Sequence, residues 1–368
     1  MEYDDKITNF VCDNAKCSSF WKYVKNKFKS HPSNYYDSIM DMDGKYIDSN
    51  MLACTLNQKF FNNFLTKLVT NCIYNNSDQF ASNITTGLHW NATSFAPFEH
   101  DEVLLMISKL KYGKSCGVDK IPGAIFYFCS DILIDHLVKL FNLILLSSEI
   151  PKALKIAKII PILKKSFPTT IEDFRPISIL PSISKIFESL IYQHLMVKIN
   201  LDNILMNFQF GFWKKVSTVN NLIIASNFIQ KCFDNNCGVD AIYFDFHKAF
   251  DRVNHNQLLT KMFNYGFDKS YLTVISNYLS GRFQVTYCNK QYSDYLPCPS
   301  GVLQGSIISP VLFNLFINDL TSDLENKCIL YADDIKLYAC IPNDTNTYLM
   351  HQKSLQNDID HIFEWSCR

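Results

Sequence analysis

An excess of positive charge is what this sequence most plainly lacks. Its 35 lysines and arginines are matched by 35 aspartates and glutamates over 368 residues. Proteins that grip nucleic acid usually carry surplus positive charge to meet the phosphates. Neutrality therefore counts against a complete nucleic-acid machine, and any such reading has to account for it. Long apolar runs are missing too. The richest stretch, 132–146, is broken by Asp135, His136 and Lys139, short of the roughly 18 uninterrupted residues a membrane span needs. The opening MEYDDKITNF is acidic and has no apolar signal core. Paired cysteine spacing is also absent. The 13 cysteines are scattered through Cys12, Cys17, Cys54, Cys72, Cys116, Cys129 and onward, which excludes the usual zinc patterns. Without an export signal they read as reduced packing residues of an intracellular protein. The glycosylation-type triplets at Asn75, Asn83, Asn91 and Asn343 then read as chance. No internal repeat is visible.

What is present is enough apolar residue to build a large core. At 48% hydrophobic and 19% charged the chain is globular in composition and long enough for more than one domain. Residues 1–95 carry no obvious chemistry: a basic aromatic stretch at 20–28, a turn at Asp43-Gly44, an amphipathic helix over 51–68, and a polar linker over 75–98. Helical spacing follows at 102–110 and 131–146, separated by the glycine-containing loop KYGKSCGVDKIPG. A strand over 157–165 ends in two lysines, and FRP at 174–176 leads into a helix over 183–199. The loop QFGFWKKVS precedes a helix over 218–232, and 241–246 reads as a buried strand. Helices cover 257–278, a hairpin covers 283–296, and the loop SGVLQGSIISP opens a helix over 310–320. The tail places Leu355, Ile359, Ile362 and Phe363 on one face of a last helix.

The chemistry concentrates at 329–338, ILYADDIKLY. Strand-forming residues flank Asp333 and Asp334, which predicts a tight hairpin with carboxylates at its tip. Adjacent carboxylates disfavour each other's ionisation, and a hard divalent cation such as magnesium removes that cost. A bare Asp-Asp turn is usually only solvated. The third carboxylate, Asp245 near the end of its own apolar strand, changes the balance. An antiparallel pairing of the two strands would gather the acids at one sheet edge. Such a group can hold two cations about 4 Å apart for in-line phosphoryl transfer.

These stretches resemble the reverse transcriptases of non-LTR (LINE-like, jockey-type) retrotransposons. The resemblance rests on YFDFHKAFDRVNH, GVLQGSIISPVLFNLFIND and YADD, with KSCGVDKIP, IPKALKIAKIIPILKK, FRPISILPSISKIFESLI and QFGFWKKVST in matching order. It spans roughly 95–340, and the weaker FWKYVK and MDGKYIDSN resemble the segment such proteins place before the polymerase. The resemblance implies an α+β right-hand polymerase: fingers and palm, an antiparallel palm sheet packed on helices, and the thumb largely missing. The expected divisions are 1–95 as extension, 96–235 as fingers and start of palm, 236–345 as palm, and 346–368 as a helix leading to the thumb.

By position, Asp245, Asp333 and Asp334 would bind two Mg2+ ions, with Mn2+ as an alternative, and the Phe246 carbonyl would join them. Phe250 would lie under the sugar and block a 2′-hydroxyl. Gln304, Gly305, Tyr331 and Ala332 would face the incoming nucleotide. Arg175 would grip its triphosphate through a planar fork, supported by Lys164 or Lys165 in preference to Lys158. Gln209, Phe210 and Gly211 would contact the template, with Trp213, Lys214 and Lys215 adding stacking and charge. Leu303 replaces the family's usual proline, which predicts a looser turn and lower activity, and His247 is given no role.

The implied partners are an RNA template, a DNA primer and dNTPs, with no membrane and no stable protein partner, in cytoplasm and nucleus. The resemblance also implies a fragment without endonuclease or basic thumb, which would explain the neutral charge. The rival readings are a decayed or domesticated copy that only binds RNA, an intron-maturase or telomerase-like polymerase, and a metal-dependent phosphatase or nuclease.

Overall fold

Two sheets, each fed by strands far apart in sequence, organise the chain. The computed structural model describes residues 39–41, 43–48, 50–65, 95–110, 115–205, 208–213, 216–343 and 345–367. The stretch 20–28, most of the 75–98 linker and Lys214 and Lys215 lie outside the described residues. The first helix is α1 (Leu52–Phe64). Then α2 (His100–Ser108) begins at a reciprocal cap between Glu99 and Glu102, followed by α3 (Gly123–Phe128) and α4 (Ser130–Ser147). Strands β1 (Ile156–Leu163) and β2 (Phe174–Ile179) precede α5 (Ser182–Leu201).

Ser217 caps α6 (Thr218–Asp234) by accepting from the Asn220 amide, and β3 (Gly238–Asp245) follows. Asn254 and Asp268 cap α7 (His255–Asn264) and α8 (Lys269–Leu279), satisfying N–H groups the first turn leaves open. The helices expected over 257–278 are these two, parted where Gly266 adopts φ 83°. Next come β4 (Phe283–Cys288), β5 (Gln291–Tyr292), β6 (Leu296–Pro297) and α9 (Ser309–Ile317). The chain ends with β7 (Lys327–Tyr331), β8 (Asp334–Ile341) and α10 (Thr345–Cys367).

The smaller sheet is antiparallel in the order β3-β8-β7. Its register runs from Gly238 opposite Ile341 to Asp245 opposite Asp334. Side chains alternate across it. Leu330, Ile335 and Leu337 join the main helical core, whereas Ile329 and Tyr338 pack with Ala225 of α6. The larger sheet runs β2-β1-β4-β5, with β6 also on β4, and β1 pairs β2 antiparallel but β4 parallel. It therefore unites the 156–179 stretch with the 283–297 stretch. Asn289 and Lys290, with φ 48° and 61°, make the tight turn between β4 and β5; two left-handed residues match the strand twist.

Helix α1 is built into this larger sheet. Leu52, Leu56 and Phe60 are buried with Ala157, Ile159, Phe174 and Leu303. The buried Asn57 amide donates to the Asp294 carbonyl at 2.8 Å and accepts from Gln284 Nε2 and Thr286 Oγ1, each at 3.0 Å. On α10, Leu355, Ile359, Ile362 and Trp365 pack on the main core, but Phe363 is 68% exposed. Phe363 lies at the edge of the apolar stripe that 355, 359 and 362 define, and the core closes on Ile362 and Trp365 without it. Trp365 Nε1 donates to Asp319 at 3.0 Å, and Asp358 accepts from the Glu325 and Asn326 amides. Among the described residues the cysteines are thiols, with Cys232, Cys298 and Cys328 buried. No described helix is long and apolar enough to cross a membrane.

Candidate active site

The β7–β8 hairpin closes through two residues, Ala332 and Asp333, because Tyr331 pairs with Asp334. Ala332 takes φ 56°, a left-handed conformation that costs a residue with a Cβ about 1–2 kcal/mol. Asp334 then lies directly across from Asp245 on the neighbouring strand. Antiparallel pairing thus brings the three acids to one end of the sheet. Burial raises the Asp333 carboxyl above the ordinary range, and the Asp334 and Asp245 carboxylates push the same way. A backbone hydrogen bond and the Arg175 guanidinium act against them. Arg175 is exposed on β2 opposite Ile162, and its charge acts on Asp333.

The fit to magnesium rests on this donor set. Among the described residues no group of three or more acidic, histidine or cysteine side chains is already arranged as a metal cage. Magnesium does not require one, since it commonly takes one or two carboxylates and completes its shell with water and substrate phosphate. Mutually repelling hard-oxygen ligands at an accessible strand end suit that mode.

The residues expected around the acids have the following surroundings. Phe250 is half-buried, stacked on Phe313 at 4.6 Å with its edge meeting Phe212 at 5.7 Å. The Phe246 ring lies 5.7 Å from Trp365. Gln304 accepts from the Ser178 amide through its carbonyl at 2.7 Å, and its side chain donates to Asp251 at 2.9 Å. Gly305 has φ 111°, and a Cβ there would stand 2.6 Å from the Ser178 carbonyl oxygen. The loop is thereby laid against the strand that carries Arg175. Leu303, expected to loosen this turn, is buried with α1, while Gly301 and Val302 donate to Val253 and Phe250. An apolar side chain that finds a core pocket anchors the loop without proline.

Other expectations divide. Lys164 is exposed, but Lys165 is paired with Asp173 at 2.9 Å in the β1–β2 turn. Lys158 lies 5.9 Å over the Tyr287 ring. Tyr331 is half-buried beside α6. The backbone of 208–210 runs beside β7, with Phe210 N donating to Leu330 O at 3.0 Å and Leu330 N to Phe208 O at 2.9 Å. Gln209 and Gly211 sit against the Ala332 turn.

Sequence reasoning missed Asp251. It is 5% exposed and accepts from Gln304 and, at 3.2 Å, from Asn63 of α1. Burial raises its carboxyl, with those two hydrogen bonds opposing. The local sequence carries little signal for this, because Asp251 stands beside Arg252 in AFDRVNH and its partners lie far off in the chain. Also missed was Glu188 of α5, which accepts from Tyr278 Oη at 2.5 Å and from the Ile307 amide at 2.8 Å, just beyond Gly305.

The sequence pattern described as "Reverse transcriptase (RNA-dependent DNA polymerase)" matches residues 162–367, a stretch that contains every acid of the site. The chain belongs to that family. It is 33% identical over 250 residues to the "Probable RNA-directed DNA polymerase from transposon BS" of Drosophila melanogaster, covering 66% of this chain and 28% of that one. To the "RNA-directed DNA polymerase from mobile element jockey" of the same species it is 30% identical over 275 residues, covering 72% and 30%. The jockey protein of Drosophila funebris is 31% identical over 290 residues, covering 74% and 30%. The similarity thus lies with reverse transcriptases of non-LTR retrotransposons, and the chain spans less than a third of these relatives' length. A solved apo telomerase from Candida Tropicalis, truncated from its C-terminal domain, aligns at TM-score 0.42 and 14% identity over 65% of this chain and 52% of that one. That likeness is too low to carry weight.

Proposed function

We propose that the chain is the fingers-and-palm part of an RNA-directed DNA polymerase, joining dNTPs to the 3′-hydroxyl of a DNA primer along an RNA template. The observation that carries this reading is Asp245 opposite Asp334 with Asp333 in the adjoining turn. The smaller sheet would be the palm, and the larger, with Arg175, the fingers. Asp245, Asp333 and Asp334 would hold two magnesium ions, joined by the Phe246 carbonyl, and the chemistry supplied there would be activation of the primer hydroxyl and neutralisation of charge on the leaving phosphate. Arg175 offers two parallel N–H donors to phosphate oxygens, with Lys164 as the nearer candidate for support because Lys165 is paired. Phe250, backed by Phe313, would present a rigid wall under the sugar. Gln304 and Gly305 would line the nucleotide's other side, together with Tyr331 and Ala332. The template contact expected of Phe210 and Gly211 is not kept in this reading, because Phe210 is buried with Ala225, Ile329 and Tyr338 and Gly211 is buried against Ala332.

Primer extension on an RNA template, comparing the unchanged chain with Asp333→Ala, tests the reading. Loss of extension in the variant is expected. Equal extension by both would remove these acids from the chemistry, and RNA binding without extension by the unchanged chain would favour a decayed copy.

A further inference from the structure

We propose that Gln209 is a positioning residue that holds the Ala332–Asp333 turn in its left-handed conformation, and so aims Asp333. This deepens the polymerase reading and rests on it. A two-residue hairpin leaves the N–H and C=O of its first turn residue outside the strand ladder, and a left-handed alanine there does not hold itself in place. The Gln209 side chain takes up both groups. Its Oε1 accepts from Ala332 N at 2.9 Å, and its Nε2 donates to Ala332 O at 3.1 Å. The same Oε1 accepts from Gly211 N at 2.7 Å, which fixes the amide's orientation from its own loop.

The surroundings leave the amide little else to do. Backbone hydrogen bonds between 208–210 and Leu330 tie the segment to β7, so Gln209 rides on the strand that enters the turn. At position 211 a Cβ would run into the Ala332 backbone; glycine there is what lets loop and turn touch. Asn314 of α9 donates to the Gly211 carbonyl at 3.0 Å and pins the far side. A template base could reach the Gln209 amide only by detaching it from the turn. The expected template role therefore gives way to an internal one. The fork requires one acceptor and one donor at full side-chain length. Glutamate supplies only the acceptor, and methionine neither.

The test compares the unchanged chain, Asp333→Ala, Gln209→Met and Gln209→Glu in steady-state extension and RNA binding. Deuterium exchange of the peptide spanning 329–335 is followed in parallel. Gln209→Met is expected to lower kcat about 10- to 100-fold, the scale of a misplaced catalytic group, while the dNTP KM and RNA Kd stay within about twofold. Gln209→Glu should fall between the two, and the hairpin peptide should exchange faster in both. Should Gln209→Met fail to fold by circular dichroism, Gln209→Glu decides. An unchanged kcat overturns the proposal, as does weaker RNA binding with kcat intact at saturating RNA. If the unchanged chain extends no primer, the polymerase reading fails instead, and the clamp stands or falls on the exchange of the hairpin peptide.

Discussion

Glu188 should impose a pH slope on folding that one isosteric change removes. Its carboxyl is fully enclosed, and burial raises its pKa above the ordinary glutamate value of 4.5. The Tyr278 hydroxyl, the Ile307 amide, the Arg282 guanidinium and Ser306 all oppose that rise. Lys185, on the same helix, also senses its charge. A raised carboxyl means the folded state keeps a proton the unfolded chain has released. Stability must then decline as pH climbs from about 4.5 through the folded pKa, at up to about 1.4 kcal/mol per pH unit for one proton. Glu188→Gln cannot titrate, yet its amide oxygen can still accept from Ile307. Urea unfolding of both proteins at pH 5, 6 and 7 isolates the effect, because Asp251 and Asp333, which also titrate high, are common to both. The difference should move in favour of the glutamine variant as pH rises through the folded pKa of Glu188. Parallel curves would refute the reasoning.

Asn57→Ala should cost about 2–4 kcal/mol in urea unfolding, since it takes an acceptor from the buried Gln284 and Thr286 side chains; a loss below about 1 kcal/mol would mean α1 is only loosely attached. Asp173 shows the opposite pH sign to Glu188. Burial alone would raise it, but hydrogen bonds from the Thr169 and Thr170 amides and the Lys165 ion pair outweigh that and hold it below its ordinary value of 3.8. Asp173→Asn should therefore be less stable than the parent near pH 6, with the gap closing as pH falls through about 3.8; a constant gap would deny the ion's role. Phe250→Val should raise the use of ribonucleotides relative to deoxyribonucleotides by about tenfold or more in kcat/KM. An unchanged ratio would assign Phe250 to packing against Phe313 alone.

The acid-tipped hairpin was legible because its chemistry and its periodicity coincide. Two runs of strand formers end in acids, and alternation alone puts Asp245 and Asp334 at matching strand ends. The β4–β5 hairpin was legible for the same local reason. The parallel seat of β4 on β1 was not, because a parallel pairing joins distant runs and leaves no turn signal. Gln209 was visible as a residue but not in its role: a glutamine beside a glycine reads alike whether its amide faces a template or a turn. Asp251 was passed over because its partners, Asn63 and Gln304, come from opposite ends of the chain.

The family's matched region starts at residue 162, inside β1, and this bears on how the protein can be dissected. A recombinant piece begun there would lose most of the strand that separates β2 from β4. Both neighbours would become bare edges, the kind of surface that recruits other chains. It would also lack the amide that Asn63 lends to Asp251 and the lysine, Lys59, that donates to the Ile171 carbonyl. Boundaries for expression are therefore better drawn upstream of Leu52 than at the edge of sequence similarity.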